Sequence, residues 1–336
     1  MRAVVQDRYG PPAEVLAVRD VERPMPAADE VLVRVQAASV HPDVWHVVTG
    51  RPYVLRVMGS GLRRPTRQIP GTDVAGQVVQ VGDAVTGFAP GDAVFGETVR
   101  GYQWRNGGAY AEYVAVPAEV LASRPARLTV SAAAAIPTSG LIALYNLPDA
   151  NALAGCSVLV NGAAGGVGGC AVQIARARGA TVTGVDAAAR LDLVRALGAD
   201  RVLDYERTDF TRTGDRYDLI FDVPGNHGFS DCRRALTSAG HYVLIGHDQF
   251  GAAAGRWLGS VPRVLGLAAR SPFTKHLPST GFSMPDKGKS MAVLADLAAA
   301  GNLRPVVDRS YPLDEAAAAL RHLQSGTAQG RIVLTP

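Results

Sequence analysis

Cysteine is nearly missing from this chain: among 336 residues only Cys156, Cys170 and Cys232 occur, far apart and without a C-x-x-C pair. A disulfide framework needs an even, closely spaced set and a thiolate zinc cluster needs paired cysteines, so neither is available. Long apolar runs are missing as well. No stretch of about 18 apolar residues is there to span a bilayer, and Met1-Arg2-Ala3-Val4-Val5-Gln6 carries no apolar core of a secretion signal. The expectation is a cytoplasmic protein with no stable membrane insertion. Charge of one sign is not in excess: 34 basic and 30 acidic residues leave a net charge of +4. That gives nucleic acid no footing and leaves a small-molecule substrate as the expected partner. Low-complexity tracts and internal repeats are also absent. What remains is 47% apolar residues in a chain longer than one core usually organises, and hence two domains.

Along the chain the rhythm changes once. Up to about residue 125 short strands alternate with turns, as at 30–36 and 109–116. From about residue 128 strands alternate with helical segments, with buried strands at 201–205, 217–223 and 240–246, which reads as a doubly wound parallel sheet. A helix over 313–323, stopped at Gly326, and a last strand over 331–334 close the chain.

The densest signal is Ser157-Val158-Leu159-Val160-Asn161-Gly162-Ala163-Ala164-Gly165-Gly166-Val167-Gly168, an apolar strand that empties into glycines and then into a helical pattern. Gly165 and Gly168 hold the second and third places of a G-x-G-x-x-G fingerprint, Ala163 holds the first, and Asp186 follows 18 residues after Gly168. This spacing predicts a dinucleotide site made by Ala164, Gly165, Gly166, Val167 and Gly168: close backbone approach at Gly165, helix-on-strand packing at Gly168, and amides aimed at a diphosphate. Asp186 has two readings of equal weight, a partner of the adenosine ribose or a cap of the helix after it. As a ribose partner it repels a 2′-phosphate by roughly 1–4 kcal/mol, which leans toward NADH. Arg190 would instead serve a phosphate, so the cofactor expectation is NADH or NADPH.

The run 81–96 (VGDAVTGFAPGDAVFG), the segment 107–113 (GGAYAEY), the turn 163–168 (AAGGVG), Leu197-Gly198-Ala199-Asp200 and 329–334 (QGRIVL) together resemble the medium-chain dehydrogenase/reductase superfamily, over nearly the whole chain. The resemblance implies an α/β fold: a GroES-like mostly-β catalytic domain from 1–125 and 303–336, and a Rossmann doubly wound parallel sheet domain over 126–302. Zinc-holding members carry a ligand cysteine near the third strand and a Gly-His-Glu. Here those places read Ser39-Val40-His41-Pro42 and Gly71-Thr72-Asp73. The chain is therefore similar to the zinc-free quinone oxidoreductase and enoyl reductase-like branch, and no zinc is expected.

That branch implies an NAD(P)H-dependent reductase that passes hydride to an activated C=C or a quinone, with hydrogen-bond donors holding the oxygen where charge develops. By position in the resemblance, Tyr53, His41 and His46 are the catalytic candidates. Each has a plainer alternative, a half-buried surface phenol or a histidine capping its own backbone. One departure concerns a carboxylate: the family's frequent aspartate is Val44 here, with Asp43 one place earlier. The resemblance also adds Thr138, Tyr205, Val223, Ile245 and Gly246 to the coenzyme residues, and implies a homodimer. The competing functions are a carbonyl or alcohol oxidoreductase and a non-catalytic, crystallin-like cofactor-binding protein. Two basic segments remain: 51–67 reads as a solvated loop, with a substrate-covering loop as the alternative, and 256–275 as an amphipathic stretch broken by Pro262 that covers the cleft or packs against a second subunit in preference to touching a membrane surface.

Overall fold

The structure is a computed structural model and describes residues 1–101, 105–246, 255, 257–278 and 286–336. Its strands, in chain order, are β1 (Arg2–Gln6), β2 (Leu16–Asp20), β3 (Glu30–Val40), β4 (Asp73–Val81), β5 (Ala93–Glu97), β6 (Tyr113–Pro117), β7 (Leu121–Ser123), β8 (Ser157–Asn161), β9 (Thr181–Asp186), β10 (Arg201–Asp204), β11 (Tyr217–Asp222), β12 (Leu236–Leu244), β13 (Val307–Pro312) and β14 (Arg331–Thr335). Contacts divide the chain into two units. Unit 1 comprises Met1–Leu141, Asp286–Gly301 and Pro305–Pro336, and unit 2 comprises Ile142–Pro285 and Asn302–Arg304. The expected α/β architecture, one strand-rich part and one doubly wound part, is the architecture seen.

Unit 1 is built on a seven-stranded sheet in the order β13-β14-β3-β4-β5-β7, with β6 paired to β3, beside a two-stranded antiparallel sheet of β1 and β2. The long β3 is its spine. Val31, Leu32, Val33, Val35, Ala37, Ala38 and Val40 are all buried, so both faces are covered at the start of the strand and again toward its end, where the side chains are small. The expected strand at 109–116 is confined to β6, because Gly108 takes φ +93° and Ala111 makes only a single bridge to Ala3. Gly71 also has positive φ, +89°, and a Cβ there would lie 2.4 Å from the Tyr110 ring, whose hydroxyl donates to the Ser39 carbonyl. Gly71→Ala combines a left-handed backbone with overpacking and should lower stability by about 2–4 kcal/mol in urea unfolding.

Unit 2 carries five parallel strands in the order β10-β9-β8-β11-β12. Helices Gly166–Ala177, Leu191–Ala196 and Phe229–Arg234 make three of the four crossovers. The strand order reverses at β8, which places the carboxyl ends of β8, β9 and β11 around one crevice.

The contact boundaries differ from those read in the sequence. Residues 126–141 and the helix Lys287–Ala299 fall in unit 1. The reason is polar: Thr138 bonds Asp73 and Glu97, Ser139 accepts from Arg331, and Lys287 bonds Glu97, all inside unit 1. Pro262 does not break a helix. It stands in the first turn of Val261–Arg270, where its missing N–H costs nothing. Arg256, from the same basic segment, lies outside the described residues. The C-terminal helix starts at Ala316 after a 3₁₀ turn and ends at Gly326 in the left-handed conformation. Among the described residues, no helix is long and apolar enough to cross a membrane.

Candidate functional site

In unit 2 the glycine-rich turn joins β8 to the helix Gly166–Ala177, with Gly165 as its N-cap. Gly162 has φ +80°. A Cβ on Gly168 would lie 2.0 Å from the Gly162 carbonyl oxygen, so the helix start sits directly on the turn. Gly165 is looser, with its nearest neighbour, the same oxygen, 3.3 Å from the Cβ position. The Ala164 and Gly165 amides are engaged by Asp186 and the Gly162 carbonyl; the amides of the helix start that follows them, on a turn with no side chain in the way, fit the diphosphate of a nicotinamide dinucleotide.

Asp186 ends β9, is 4% exposed, and is fully engaged. Its Oδ2 accepts from the Ala164 amide at 2.8 Å, and its Oδ1 from the Ala187 amide at 2.9 Å. Arg190 Nε lies 2.8 Å from Oδ1. The carboxylate thus braces the turn itself. It does not cap a helix, since the 3₁₀ turn that follows is capped by Ala187 without a side-chain bond. Tyr205 comes next to this group, its amide donating to the Asp186 carbonyl and its side chain exposed. Val223, Ile245 and Gly246 follow β11 and β12. Val223 N donates to Asn161 O, Ile245 N donates to Asp222 O, and a Cβ on Gly246 would meet Val223 O at 2.7 Å.

Sequence reading missed the polar cluster beneath them. Asp222 is completely buried; its Oδ1 accepts from Asn161 Nδ2 (2.9 Å) and the Gly225 amide (3.0 Å), and its Oδ2 from the Tyr242 hydroxyl (2.8 Å). Burial, with the Asp222 carboxylate beside it, pushes the Tyr242 phenol far above its ordinary range. A signal was available: Asn161 and Asp222 each follow directly on an apolar run, Val158-Leu159-Val160 and Leu219-Ile220-Phe221.

In unit 1, β3 delivers His41 to the start of the helix Pro42–Thr49. His41 is the N-cap, its Nδ1 accepting from the Asp43 amide at 3.1 Å, and the ring is buried. A backbone N–H aimed at Nδ1 needs the lone pair there and puts the proton of a neutral ring on Nε2, whereas Asp43 Oδ2, 3.1 Å from the same nitrogen, favours a proton on Nδ1. That Nε2 is buried and has no hydrogen-bond partner among the described residues. His46, on the same helix, has the opposite tautomer: its Nδ1 lies 2.8 Å from the Arg51 carbonyl, which can only accept. Tyr53 is half-buried, with the Arg56 guanidinium 4.5 Å from its ring centre. The same guanidinium lies 4.4 Å from the Tyr9 ring, and burial raises the Tyr9 phenol to about 12. The capping histidine of the plainer alternative is therefore present, yet capping uses one nitrogen and leaves the other.

Behind β3 runs a buried chain of polar groups. Ser39 Oγ donates to Asp73 Oδ2 (2.6 Å), and Thr138 Oγ1 lies 2.5 Å from Asp73 Oδ1 and 2.8 Å from Glu97 Oε1. Lys287 Nζ donates to Glu97 Oε2 and to the carbonyls of Val99 (2.8 Å) and Gly101 (2.6 Å). These residues do not fit a zinc ion. The oxygens of Asp73 and Glu97 are taken by hydroxyls and an ammonium, His41 Nδ1 is taken by its cap, and among the described residues no three His, Cys, Asp or Glu side chains group as metal ligands.

Comparison with known proteins agrees with this geometry. The family described as "Alcohol dehydrogenase GroES-like domain" matches residues 27–126, and the one described as "Zinc-binding dehydrogenase" matches residues 197–334. A chloroplastic quinone-oxidoreductase homolog of Spinacia oleracea is 30% identical over 346 residues, with 100% of this chain and 98% of the relative covered. A chloroplastic NADPH-dependent alkenal/one oxidoreductase of Arabidopsis thaliana is 30% identical over 347 residues, covering 100% and 80%. Among solved structures, an NAD-dependent alcohol dehydrogenase superposes with a TM-score of 0.80 at 30% identity, covering 100% of both chains. Full-length similarity of this degree, with the same two kinds of domain in the same order, means that the chain belongs to the medium-chain dehydrogenase/reductase superfamily.

Proposed function

We propose that this protein is a zinc-independent NAD(P)H-dependent reductase acting on an activated carbon–carbon double bond or a quinone, and that His41 holds the oxygen on which negative charge develops. The observation that carries the reading is the buried Nε2 of His41, which has no hydrogen-bond partner among the described residues while Nδ1 meets the Asp43 amide; we assign the proton to Nε2. An unmet donor in a buried setting costs about 1–3 kcal/mol and is repaid when an oxyanion arrives. A reduced nicotinamide supplies hydride to an already electron-poor carbon, which needs no Lewis acid. The chain's own residues then do the rest. The amides of Gly166, Val167 and Gly168 hold the diphosphate, with Gly165, whose own amide donates to the Gly162 carbonyl, giving it room; Asp186 and Arg190 border the adenosine ribose, Tyr205 flanks the adenine, and Val223, Ile245 and Gly246 line the way to the nicotinamide. Tyr53 is a second donor, steadied by Arg56, and His46 anchors the Arg51 turn that leads to it. Thr138 is assigned to positioning, because its hydroxyl is committed to Asp73 and Glu97.

The relatives named for quinones and for alkenals support this substrate class, and the structure neighbour named for an alcohol marks the competing one. A panel of enones, quinones and simple ketones with each coenzyme tests it. Turnover of enones or quinones is expected; turnover confined to ketones replaces the reading, and quenching of nicotinamide fluorescence without any oxidation makes the protein a binder. His41→Ser keeps an N-cap acceptor but removes the Nε2 donor, so kcat should fall about 10²–10³-fold with coenzyme affinity unchanged.

The Asp186–Arg190 pair bears on the coenzyme. With Arg190 at 2.8 Å the charge of Asp186 is offset, so repulsion of a 2′-phosphate is weaker than the lone aspartate implied, and both coenzymes belong to the reading. Arg190→Ala should move the NADH-to-NADPH ratio of kcat/KM toward NADH by roughly tenfold. A homodimer is part of the same proposal and is checked by sedimentation equilibrium. Its seam is not a ladder at Tyr242, whose amide already donates to the His276 carbonyl.

A further inference from the structure

The turn that follows β11 is fastened twice. Asp222 Oδ1 accepts from the Gly225 amide at 3.0 Å, and Asn161 Nδ2 spends its two hydrogens on Asp222 Oδ1 and Asn226 Oδ1, each at 2.9 Å. The second fastening comes from Arg263, in the first turn of the helix Val261–Arg270. Its guanidinium donates to the carbonyls of Gly225 and His227 and lies 3.5 Å from the Tyr242 hydroxyl, which itself donates to Asp222. Leu267, one helical turn on, packs on the core cluster of Tyr217, Tyr242 and Leu277, so this face of the helix lies on the body of unit 2. A planar fork of donors suits two carbonyls of one turn, where a lysine offers a single point of charge.

We propose that Arg263 is a positioning residue for the nicotinamide half of the coenzyme, acting through this turn. The proposal rests on the coenzyme reading above. With the diphosphate at the turn after β8 and the adenosine beside β9, the strand order β10-β9-β8-β11-β12 leaves the ends of β11 and β12 for the other nucleoside. Those ends are packed against each other through the clamped turn. Gly225 has φ +64°, and a Cβ there would meet Leu244 Cδ1 at 2.8 Å, Arg263 Nη1 at 3.1 Å and the Gly246 carbonyl oxygen at 3.3 Å, while a Cβ on Gly246 would meet the Val223 carbonyl oxygen at 2.7 Å. Val223 and Gly246 therefore move with Gly225. Without the guanidinium the carbonyl of the buried Gly225 loses its charged donor, and a glycine with so many accessible conformations no longer holds one. The cost falls where the turn lies, over β11 and β12, and leaves the adenosine end beside β9 as it was.

The test compares two ligands of the full chain by titration: NADH, and ADP-ribose, which shares the adenosine and diphosphate but has no nicotinamide (for NADPH, the matching ligand is 2′-phospho-ADP-ribose). Arg263→Ala should raise the Kd for NADH roughly tenfold and leave that for ADP-ribose within about twofold. Methylguanidine added to Arg263→Ala should recover part of the loss, since the space left by the side chain admits the same fork. Arg263→Lys keeps the charge and the stem without the fork. It should lose roughly threefold for NADH alone, and it gives the same comparison where Arg263→Ala fails to fold. Leu267→Ala loosens the same helix without touching the turn and should change neither affinity. Equal losses for both ligands, NADH binding that the Arg263 variants leave intact, or a selective loss that Leu267→Ala reproduces overturns the positioning role alone. A parent chain that binds neither ligand overturns the coenzyme reading, and this proposal with it.

Discussion

Lys287→Met should lower the stability of this protein by roughly 3–5 kcal/mol, because it strips the ammonium bonded to the buried carboxyl of Glu97. Glu97 is 2% exposed and shares the Thr138 hydroxyl with Asp73. A hydroxyl has one proton and cannot donate to both carboxylates, so the Asp73–Thr138–Glu97 group is satisfied only when one carboxyl carries a hydrogen of its own. Burial, then the Asp73 charge, raise Glu97 above its ordinary range, while Lys287 draws it down; Glu97 is therefore the group nearest to holding that proton. Without the ammonium the rise is larger. A carboxyl whose folded-state value is raised contributes stability that is present below its unfolded value, near 4.5, and lost as the pH climbs through the folded one. The deficit of Lys287→Met should accordingly be greatest at neutral pH and shrink on acidification toward pH 5, seen as converging urea midpoints. Adding Glu97→Gln should recover most of the loss, since a neutral amide bonds Thr138 without a buried charge.

The parts of this molecule that periodicity and turn chemistry govern were legible in the sequence. A strand that empties into Gly162 and resumes as a helical pattern leaves few alternatives for the chain, and β8 and β11 at the centre of unit 2 each carry a continuous apolar run. The domain edges were less legible. Residues 126–141 and 287–299 are helical and continue the alternating rhythm, yet Thr138, Ser139 and Lys287 bond to partners 41 to 192 positions away in unit 1. Nothing local in a Thr or Lys announces such a partner. The roles of His41 and Asp186 show the same limit at shorter range. Both residues were visible as candidates, but that one nitrogen of His41 is spent on a cap, and that Asp186 grips the Ala164 amide 22 positions away, depends on where β3 and β9 end.

Gly168→Ala should lower coenzyme affinity at least a hundredfold, and comparison with Gly165→Ala separates the reason from loss of fold. At Gly168 the added methyl falls 2.0 Å from the Gly162 oxygen, 2.8 Å from its carbonyl carbon and 3.0 Å from Ala163 Cα, all backbone atoms that no rotamer change relieves. The helix start must move off the turn by the better part of an ångström. Amides at a helix start bind an anion through short, aligned hydrogen bonds, so a shift of that size removes most of their contribution, and overpacking costs about 1–3 kcal/mol of stability besides. At Gly165 the same methyl meets a single atom at 3.3 Å on a backbone of φ −70°, which any residue adopts. Gly165→Ala should therefore leave the urea midpoint within about 0.5 kcal/mol of the parent. It still puts a methyl where the proposed site admits the diphosphate, so a coenzyme Kd raised about tenfold is expected by fluorescence titration. Binding undiminished in both variants would move the coenzyme away from this turn, whereas a Gly168→Ala protein that binds weakly but melts like the parent would show that the turn yields without disturbing the sheet beneath it.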